Sequence, residues 1–199
     1  HSPYTLSLHD ALPIFDSLMA GNAMATHDLE GGLLGTALGQ NIYTQESVPM
    51  GHYNHLDLIN EARRAGSIEE LLDEGNIKDG FMKTCMEKKI PIVLVGSIRD
   101  DGPLPPVYHE VSCGLDAMKK ETDKATVIIC LATILHSVAT ANLTSSYKVV
   151  NGKVRPIYFY CVDISEYAVN QVSVAREYIG IKTIDRKSTR LNSSHQYYL

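Results

Sequence analysis

Four short apolar segments, each separated from the next by residues with helical periodicity, constrain the fold of this 199-residue chain more than any other feature. The clearest of them, residues 90–95, reads Ile-Pro-Ile-Val-Leu-Val and ends at Gly96. Continuous apolar runs of this length are typical of parallel strands that are buried on both faces. Strands that alternate with helices indicate a parallel sheet with helices on both faces. We therefore predict an α/β fold.

The hydrophobic pattern and the end signals define the individual elements. The predicted strands are residues 90–95, 126–131, 158–162 and 179–183. The predicted helices are residues 28–38, 54–64, 67–73, 78–88, 111–121, 136–143 and 166–178. Ser67 and Glu70 form a capping-box pattern at the start of the third helix. The Asn151-Gly152 pair is a candidate hairpin turn in the polar segment 142–156.

The first predicted helix has Thr26 available as its N-cap and Gly39 as its stop. It contains Gly31, Gly32 and Gly35, and each glycine costs roughly 1 kcal/mol of helix propensity relative to alanine. A glycine is useful in a helix where another segment approaches so closely that a side chain would not fit. We therefore expect part of the chain to pack directly against this helix.

Both ends of the chain read as translated sequencing-adapter DNA. Residues 6–14 resemble the translation of a common short-read library adapter, and residues 185–195 resemble that of its partner. Residues 11–14 can be encoded by GCT CTT CCG ATC, whose reverse complement, GAT CGG AAG AGC, can encode residues 185–188. Flanks encoded by mutually inverted DNA are expected of an insert ligated between adapters. We therefore expect residues 1–15 and 185–199 to be disordered, and residues 16–184 to be a partial domain.

The charge balance argues against a nucleic-acid-binding role. The chain carries 18 basic and 23 acidic residues, a formal net charge of −5. Residues 16–184 are slightly more acidic, because the predicted adapter segments hold three of the basic residues and two of the acidic ones. Nucleic-acid-binding domains normally have a basic face. The longest apolar run, residues 125–135, is also too short to cross a bilayer.

The cysteine pattern is that of a reduced, cytosolic protein. The chain has four cysteines and no Cys-x-x-Cys spacing, so neither a disulfide framework nor a zinc site of that type is implied. Three of the four lie within or beside apolar segments, where buried thiols are common. We therefore predict a cytoplasmic location.

Candidate site residues follow the predicted strands, because ligands in open parallel sheets bind beyond the carboxyl ends of the strands. Asp163 comes directly after the third strand, where a carboxylate can accept hydrogen bonds from both ribose hydroxyls of an adenosine, and helix capping is an equally common role. Thr133 and the amides after it follow the second strand and could hold a phosphate or simply cap a helix. Arg99, Asp100 and Asp101 follow the first strand, in a loop shaped by glycine and proline or held by salt bridges.

Histidine supplies no convincing metal site in the sequence. His52 and His55 have the i, i+3 spacing of a metal pair on a helix. Neither has an acidic or cysteine partner at a recognisable spacing, so a solvated helix face or the edge of a cofactor site explains them better. His136 by itself is typical of a packed core histidine. We therefore predict no metal.

Several segments in order resemble one enzyme family. The chain has Gly-Asn-Ala-Met-Ala-Thr-His-Asp at 21–28, Gly-Ser-Ile-Arg-Asp-Asp-Gly-Pro-Leu-Pro at 96–105, Leu-Ala-Thr-Ile-Leu-His-Ser at 131–137 and Cys-Val-Asp-Ile at 161–164. These segments resemble the archaeal-type ornithine cyclodeaminases and the C-terminal part of cyanobacterial bifunctional arginine dihydrolases. The same domain is known as the conserved domain of the lysine-ketoglutarate reductase/saccharopine dehydrogenase type. The resemblance covers essentially all of residues 16–184.

The resemblance implies a Rossmann-like domain that binds NAD. It also implies an enzyme that converts L-ornithine into L-proline and ammonia, with a hydride transferred to the cofactor and then returned. It also implies a homo-oligomeric full-length protein. The cofactor-binding positions that carry over are Asn22, Ala23, Asp101, Thr133, Ile134, Leu135, His136 and Asp163. The catalytic acid and base have no matching position here.

Two features depart from the family pattern. Residues 143–155 form a longer loop than expected, and the upstream part of the family domain, with its first strand, phosphate turn and much of the substrate pocket, is expected to be missing. We therefore expect residues 16–184 alone to have little or no activity. Two other functions fit the residues, a non-catalytic NAD-binding module of an arginine-degrading protein and an NAD-linked amino-acid dehydrogenase.

Overall fold

The computed structural model describes residues 14–96, 104–105, 107–177 and 180–185, with only the backbone described for residues 183–185. The chain divides into two compact units, with the boundary between Gly114 and Leu115. Most of both predicted adapter segments lies outside the described residues, and their origin stays a prediction. Asp185 is described, as the last residue of a strand.

The first unit combines a parallel strand pair with a set of helices. Its elements are β1 (Leu18–Gly21), α1 (Asn22–Leu34), β2 (Thr36–Ala37), β3 (Gln40–Asn41), α2 (His52–Ala65), α3 (Ile68–Asp73), α4 (Phe81–Glu87) and β4 (Ile92–Val95). Strand β1 pairs with β4 in parallel, from Leu18 opposite Ile92 to Gly21 opposite Val95. A strand therefore does precede the glycine-bearing helix, where the sequence indicated only a possible strand end at Gly21.

Helix α1 begins six residues earlier than we predicted, because Thr26 does not act as its N-cap. Helical geometry starts at Asn22, directly after the extended Gly21. The Thr26 hydroxyl donates instead to the carbonyl oxygen of Asn22, at 2.8 Å, one turn back in the same helix. The predicted stop at Gly39 is also wrong. Gly35 ends the helix in a left-handed conformation, and its amide donates to the oxygen of Gly31.

The close approach predicted from the helix glycines is confirmed at Gly32. A Cβ at this position would lie 2.2 Å from the backbone oxygen of Asp79, so only glycine fits beneath the segment that leads to α4. At the neighbouring Gly31 a Cβ would have ordinary contacts, with its nearest atom on Ile42 at 3.7 Å. Asp28, also on α1, accepts hydrogen bonds from the first amides of α4, those of Phe81 and Met82. Helix α1 therefore positions α4 through its backbone and through this carboxylate.

We predict that Gly32→Ala lowers the free energy of unfolding by about 1–3 kcal/mol, because the new methyl group overlaps a backbone oxygen that cannot rotate away. Gly31→Ala is the matched control. It should leave stability unchanged or raise it by up to about 1 kcal/mol, because alanine is the better helix former and the space is open. Urea denaturation followed by circular dichroism measures both, and equal effects of the two changes would contradict the prediction.

The second unit contains a three-stranded parallel sheet and a hairpin. Its elements are β5 (Val127–Leu131), α6 (Ile134–Leu143), β6 (Tyr147–Val150), β7 (Lys153–Pro156), β8 (Tyr158–Asp163), α7 (Glu166–Ala175) and β9 (Ile181–Asp185), and α5 (Val111–Thr122) crosses the boundary into it. The strand order is β5-β8-β9, and both pairings are parallel. Helices connect the parallel strands, which confirms the predicted α/β class.

The core of the second unit lies on one side of β5 and around Phe159, which is fully buried on β8. Strand β5 differs from the expectation of complete burial, since Val127 and Ile129 are 51% and 45% exposed while Ile128 and Cys130 are buried. Apolar composition predicts a strand but not how many of its faces are covered. The strand therefore has the alternating burial of a half-covered sheet position.

Two local predictions are confirmed by the structure. The hydroxyl of Ser67 accepts from the amide of Glu70, as the capping box requires. The long segment before β8 folds as the antiparallel pair β6–β7, which turns at Asn151 and Gly152 with positive φ at both residues. Positive φ at both central residues is the geometry of a type I′ hairpin turn.

Candidate cofactor site at the carboxyl ends of the strands

Two predicted parts of the cofactor site, the segment 133–136 and Asp163, lie side by side in the second unit. Strands β5 and β8 are neighbours, with Leu131 opposite Val162. One residue further, the amide of Ala132 donates to the oxygen of Val162 at 2.9 Å. The segment 133–136 and Asp163 therefore leave the same edge of the sheet together, at the carboxyl ends where parallel sheets bind ligands.

The turn between β5 and α6 has an unusual backbone. Ala132 adopts a positive φ of 51°, a left-handed conformation that is unfavourable for a residue with a Cβ. Thr133 then takes the N-cap position of α6 in an extended conformation, but among the described residues its side chain makes no capping hydrogen bond. Backbone conformations of this kind are common at ligand sites, where the surrounding structure holds them in place.

Asp163 is not the N-cap of α7, which was the structural alternative for this residue. Ser165 occupies that position, and its hydroxyl accepts from the amide of Ala168. Asp163 is the last residue of β8 and half-buried, and its Oδ1 accepts from the amide of Ser165 at 2.7 Å. Its carboxylate is therefore oriented by a local turn at the end of the strand.

The helix N-termini differ in how their first amides are satisfied. Helices α3 and α7 each have a serine cap that accepts a backbone hydrogen bond and an acidic residue in the first turn. Helices α1 and α6 have neither, within the part of the chain that the structure describes. The first amides of a helix and its dipole attract anions when no side chain satisfies them. The two helices that begin at predicted cofactor residues are therefore uncapped within the described residues, as α2 also is, whereas Asp28 accepts from the first amides of α4.

The remaining predicted residues lie in the first unit or outside the described ranges. Asn22 and Ala23 are the first two residues of α1, directly after the carboxyl end of β1, and Asn22 is almost completely buried. Asp101 lies outside the described residues, as do Arg99 and Asp100. The assignment of all eight residues to a cofactor stays a prediction.

His136 lies in the first turn of α6, and burial lowers the pKa of its imidazole below the ordinary value. The neutral form is therefore favoured in the folded chain. A histidine whose folded pKa is depressed contributes stability that is present above the unfolded pKa and is lost as the pH falls toward the folded pKa. The unfolded pKa of histidine is about 6.5.

We predict that His136→Gln weakens the loss of stability that accompanies acidification below about pH 6.5, because the variant has no buried imidazole to protonate. Thermal unfolding between pH 7.5 and pH 5 measures the effect. His109→Gln, which changes an exposed histidine, is the control and should leave the pH dependence unchanged. Parallel curves for the native chain and His136→Gln would contradict the prediction.

The first unit also contains a cluster that the sequence reading missed. His27 and Glu30 of α1 and His55 of α2 place one ligand atom each within 4.8 Å of one another. The Nδ1 atoms of His27 and His55 lie 3.8 Å and 3.6 Å from the same oxygen, Oε2 of Glu30. The expectation that His55 has no acidic partner is therefore wrong. His52, its predicted metal-pair partner, is exposed and stacks against Tyr53.

Glu30 is fully buried, and a short network holds its carboxylate. Oε1 accepts from the Thr36 hydroxyl at 2.7 Å, and Oε2 accepts from the amide of Leu38 at 3.4 Å. Thr36 in turn accepts from the side-chain amide of Asn54, on α2. Burial by itself would raise the pKa of Glu30, but His27, Thr36 and the backbone of the β2–β3 turn lower it below the ordinary value. Glu30 is therefore ionised at neutral pH.

The cluster was missed because the predicted helix began at residue 28. That boundary placed His27 outside the helix, although His27 and Glu30 have the i, i+3 spacing that puts two side chains on one helix face. A predicted helix start before residue 27 would have placed His27 and Glu30 on the same helix face. The approach of His55 depends on the packing of α2 against α1, which no local signal predicts.

Comparison with known proteins assigns the chain to a family. Residues 11–181 match the model of the C-terminal Rossmann-fold domain of ArgZ-like arginine dihydrolases. The chain belongs to this family. The match includes β1, α1, α6 and the β5–β8 edge, so it confirms the Rossmann-like architecture and the family resemblance seen in the sequence.

Individual relatives agree with this assignment. Ornithine cyclodeaminase from Methanopyrus kandleri is 45% identical over 79% of the chain. The crystal structure of a conserved LOR/SDH protein from Methanococcus maripaludis S2 has a TM-score of 0.79 and 37% identity over 88% of the chain, and half of that protein is covered. The complex of AgrE with ornithine and NAD⁺ has a TM-score of 0.76 and 34% identity over 89% of the chain. The chain spans only 36% of the Methanopyrus enzyme and 25% of AgrE.

The described part of the chain contains no helix that is both long enough and apolar enough to cross a membrane. Three of the four cysteines, Cys85, Cys130 and Cys161, are buried and unpaired, as expected for structural thiols. Burial raises the pKa of Cys130 to about 12 and that of Cys85 to about 11. The cytoplasmic location itself stays a prediction.

Proposed function

We propose that this chain is part of an NAD-dependent ornithine cyclodeaminase, which converts L-ornithine into L-proline and ammonia. The observation that carries the proposal is the 45% identity to an ornithine cyclodeaminase across 79% of the chain. The similarity to a solved protein complexed with ornithine and NAD⁺ supports the same substrate and cofactor. We expect the full-length protein to act as a homo-oligomer in the cytoplasm.

The residues of the second unit fit a dinucleotide. The amides at the start of α6, after Ala132 and Thr133, have no side-chain cap within the described residues. They suit a pyrophosphate because they offer hydrogen-bond donors and the positive end of a helix dipole. The half-buried carboxylate of Asp163 suits the hydroxyls of a ribose. The neutral, partly buried imidazole of His136 borders the same turn without adding positive charge. When bound, NAD supplies a hydride acceptor that is regenerated within each turnover.

The residues of the first unit fit the same class of ligand. Helix α1 begins immediately after β1, with no side-chain cap and no acidic residue in its first turn, within the described residues. Asn22 and Ala23 provide the first amides of this helix, whose N-terminal dipole favours an anionic group. We propose that these two residues contact the cofactor through their backbone.

A turnover assay tests the proposed reaction. The full-length gene product that contains residues 16–184 should produce proline and ammonia from L-ornithine with substoichiometric NAD⁺ and no net NADH, because the hydride returns to the product. Net accumulation of NADH would instead indicate an amino-acid dehydrogenase. NAD binding without turnover would indicate a non-catalytic module of an arginine-degrading protein, and either result would contradict the proposal.

We predict that Asp163→Asn weakens NAD binding by about 10–100-fold, because hydrogen bonds to a charged group contribute about 1.5–3 kcal/mol. Asparagine keeps an oxygen that can accept from Ser165, so the local turn is retained. Isothermal titration calorimetry of the full-length protein measures the affinity.

The control is Ser165→Ala, two residues along. It removes the cap of α7 and should cost about 1 kcal/mol of stability while leaving NAD affinity unchanged. If Asp163→Asn binds NAD as tightly as the native protein, then Asp163 is only a turn residue.

A further inference from the structure

The spacing of His27, Glu30 and His55 is not that of a hydrogen-bonded triad. Hydrogen bonds between nitrogen and oxygen are about 2.7–3.2 Å long. The Nδ1 atoms of the two histidines lie 3.8 Å and 3.6 Å from Glu30 Oε2, and both Nδ1 atoms are buried. The three atoms face one another at a separation slightly too large for direct hydrogen bonds.

That separation matches the ligand shell of a small divalent cation. Nitrogen and oxygen ligands lie about 2.0–2.2 Å from Zn²⁺ in a tetrahedral site, which places them roughly 3.4 Å apart. The two distances from Glu30 Oε2 to the histidine Nδ1 atoms exceed this by only a few tenths of an ångström, and the ligand atoms of all three residues lie within 4.8 Å of one another, within the adjustment of two imidazole rings. Two imidazole nitrogens and one carboxylate oxygen are also a donor set that zinc and neighbouring transition metals prefer.

We propose that His27 Nδ1, Glu30 Oε2 and His55 Nδ1 bind a divalent transition-metal ion, with zinc as the best-matched metal. Both histidine side chains are 17% exposed, so a water molecule can reach the ion and complete a tetrahedral shell. The bound ion joins α1 to α2. This site is separate from the residues assigned to NAD and does not rest on the proposed function.

The residues around the cluster are arranged as metal sites require. Ligand carboxylates are usually oriented by further hydrogen bonds, and losing one of these weakens metal binding by about 10–100-fold. Glu30 has such support from Thr36, which is itself held by Asn54 of α2. The amide of Leu38, in the β2–β3 turn, is a second donor to the carboxylate. Three separate elements therefore hold the carboxylate that would carry the negative charge of the site.

Metal titration of the full 199-residue chain tests the proposal. Chain treated with a chelator and then dialysed should bind Zn²⁺ and gain thermal stability, because a ligand that binds only the folded state raises the unfolding temperature. Co²⁺ in its place should give the intense visible absorption of a tetrahedral site. Glu30→Gln and His55→Ala should each abolish the Co²⁺ absorption. Thr36→Val should weaken binding by about 10–100-fold while all three ligands remain.

His52→Ala is the matched control, since it removes an exposed histidine from the same helix as His55. It should leave the Co²⁺ absorption and the zinc-dependent stabilisation unchanged, and the histidines of the terminal segments are the same in every variant. Circular dichroism establishes that each variant is folded. If Glu30→Gln unfolds the unit, His27→Ala replaces it as a second variant, beside His55→Ala, that removes a partly exposed ligand. A folded native chain that binds no Zn²⁺, or a Co²⁺ absorption that survives both histidine changes, would overturn the proposal. Neither result depends on NAD binding or ornithine turnover.

Discussion

Parallel strand pairing is the constraint on which the rest of the structure depends. Parallel neighbours end at the same edge of a sheet, so whatever follows one strand lies beside whatever follows the next. In the second unit this brings the turn at Ala132 next to Val162 and Asp163, although the two segments are about thirty residues apart in sequence. In the first unit it places Gly21, and the start of α1, opposite Val95. Each candidate cofactor residue that the structure describes leaves such an edge.

The helix N-termini of this chain differ in how their first amides are satisfied: by serine caps at α3 and α7, by Asp28 at α4, and by no side-chain cap within the described residues at α1, α2 and α6. Where a helix serves only the fold, as α3 does, a serine side chain satisfies the first amides and acidic residues complement the dipole. At α1 and α6 the described side chains leave these amides to another partner, and a phosphate is the group that they would bind most favourably. The left-handed Ala132 lies directly before this helix start, and strained backbone of this kind is common at ligand sites.

A second organising interaction is the buried carboxylate of Glu30. An ionised carboxylate removed from water loses several kcal/mol of solvation unless donors replace the water. Thr36 and Leu38 supply donors from the β2–β3 turn, and the histidines of α1 and α2 face the same oxygen. One charge therefore ties together three elements of the first unit. Such a group is poorly explained by stability alone, because an apolar side chain of similar size would avoid the desolvation cost.

The sequence by itself determined the elements whose signals are local. The apolar runs defined β4, β5, β8 and β9, the Ser67 capping box defined a helix start, Asn151-Gly152 defined a hairpin turn, and Gly32 indicated a close backbone contact. The family motifs also identified Asp163 and the segment 133–136 as candidate site residues, because a short motif can be recognised from consecutive residues without information on packing.

Only the tertiary structure decided the features that depend on side chains distant in the sequence. It showed that the Thr26 hydroxyl turns back into its own helix, that Ser165 rather than Asp163 caps α7, and that one face of β5 is exposed. It also brought His55 to Glu30 across two packed helices. Periodicity determines which face of a helix is apolar. Which element packs against that face depends on the tertiary structure, and a local sequence pattern does not predict it.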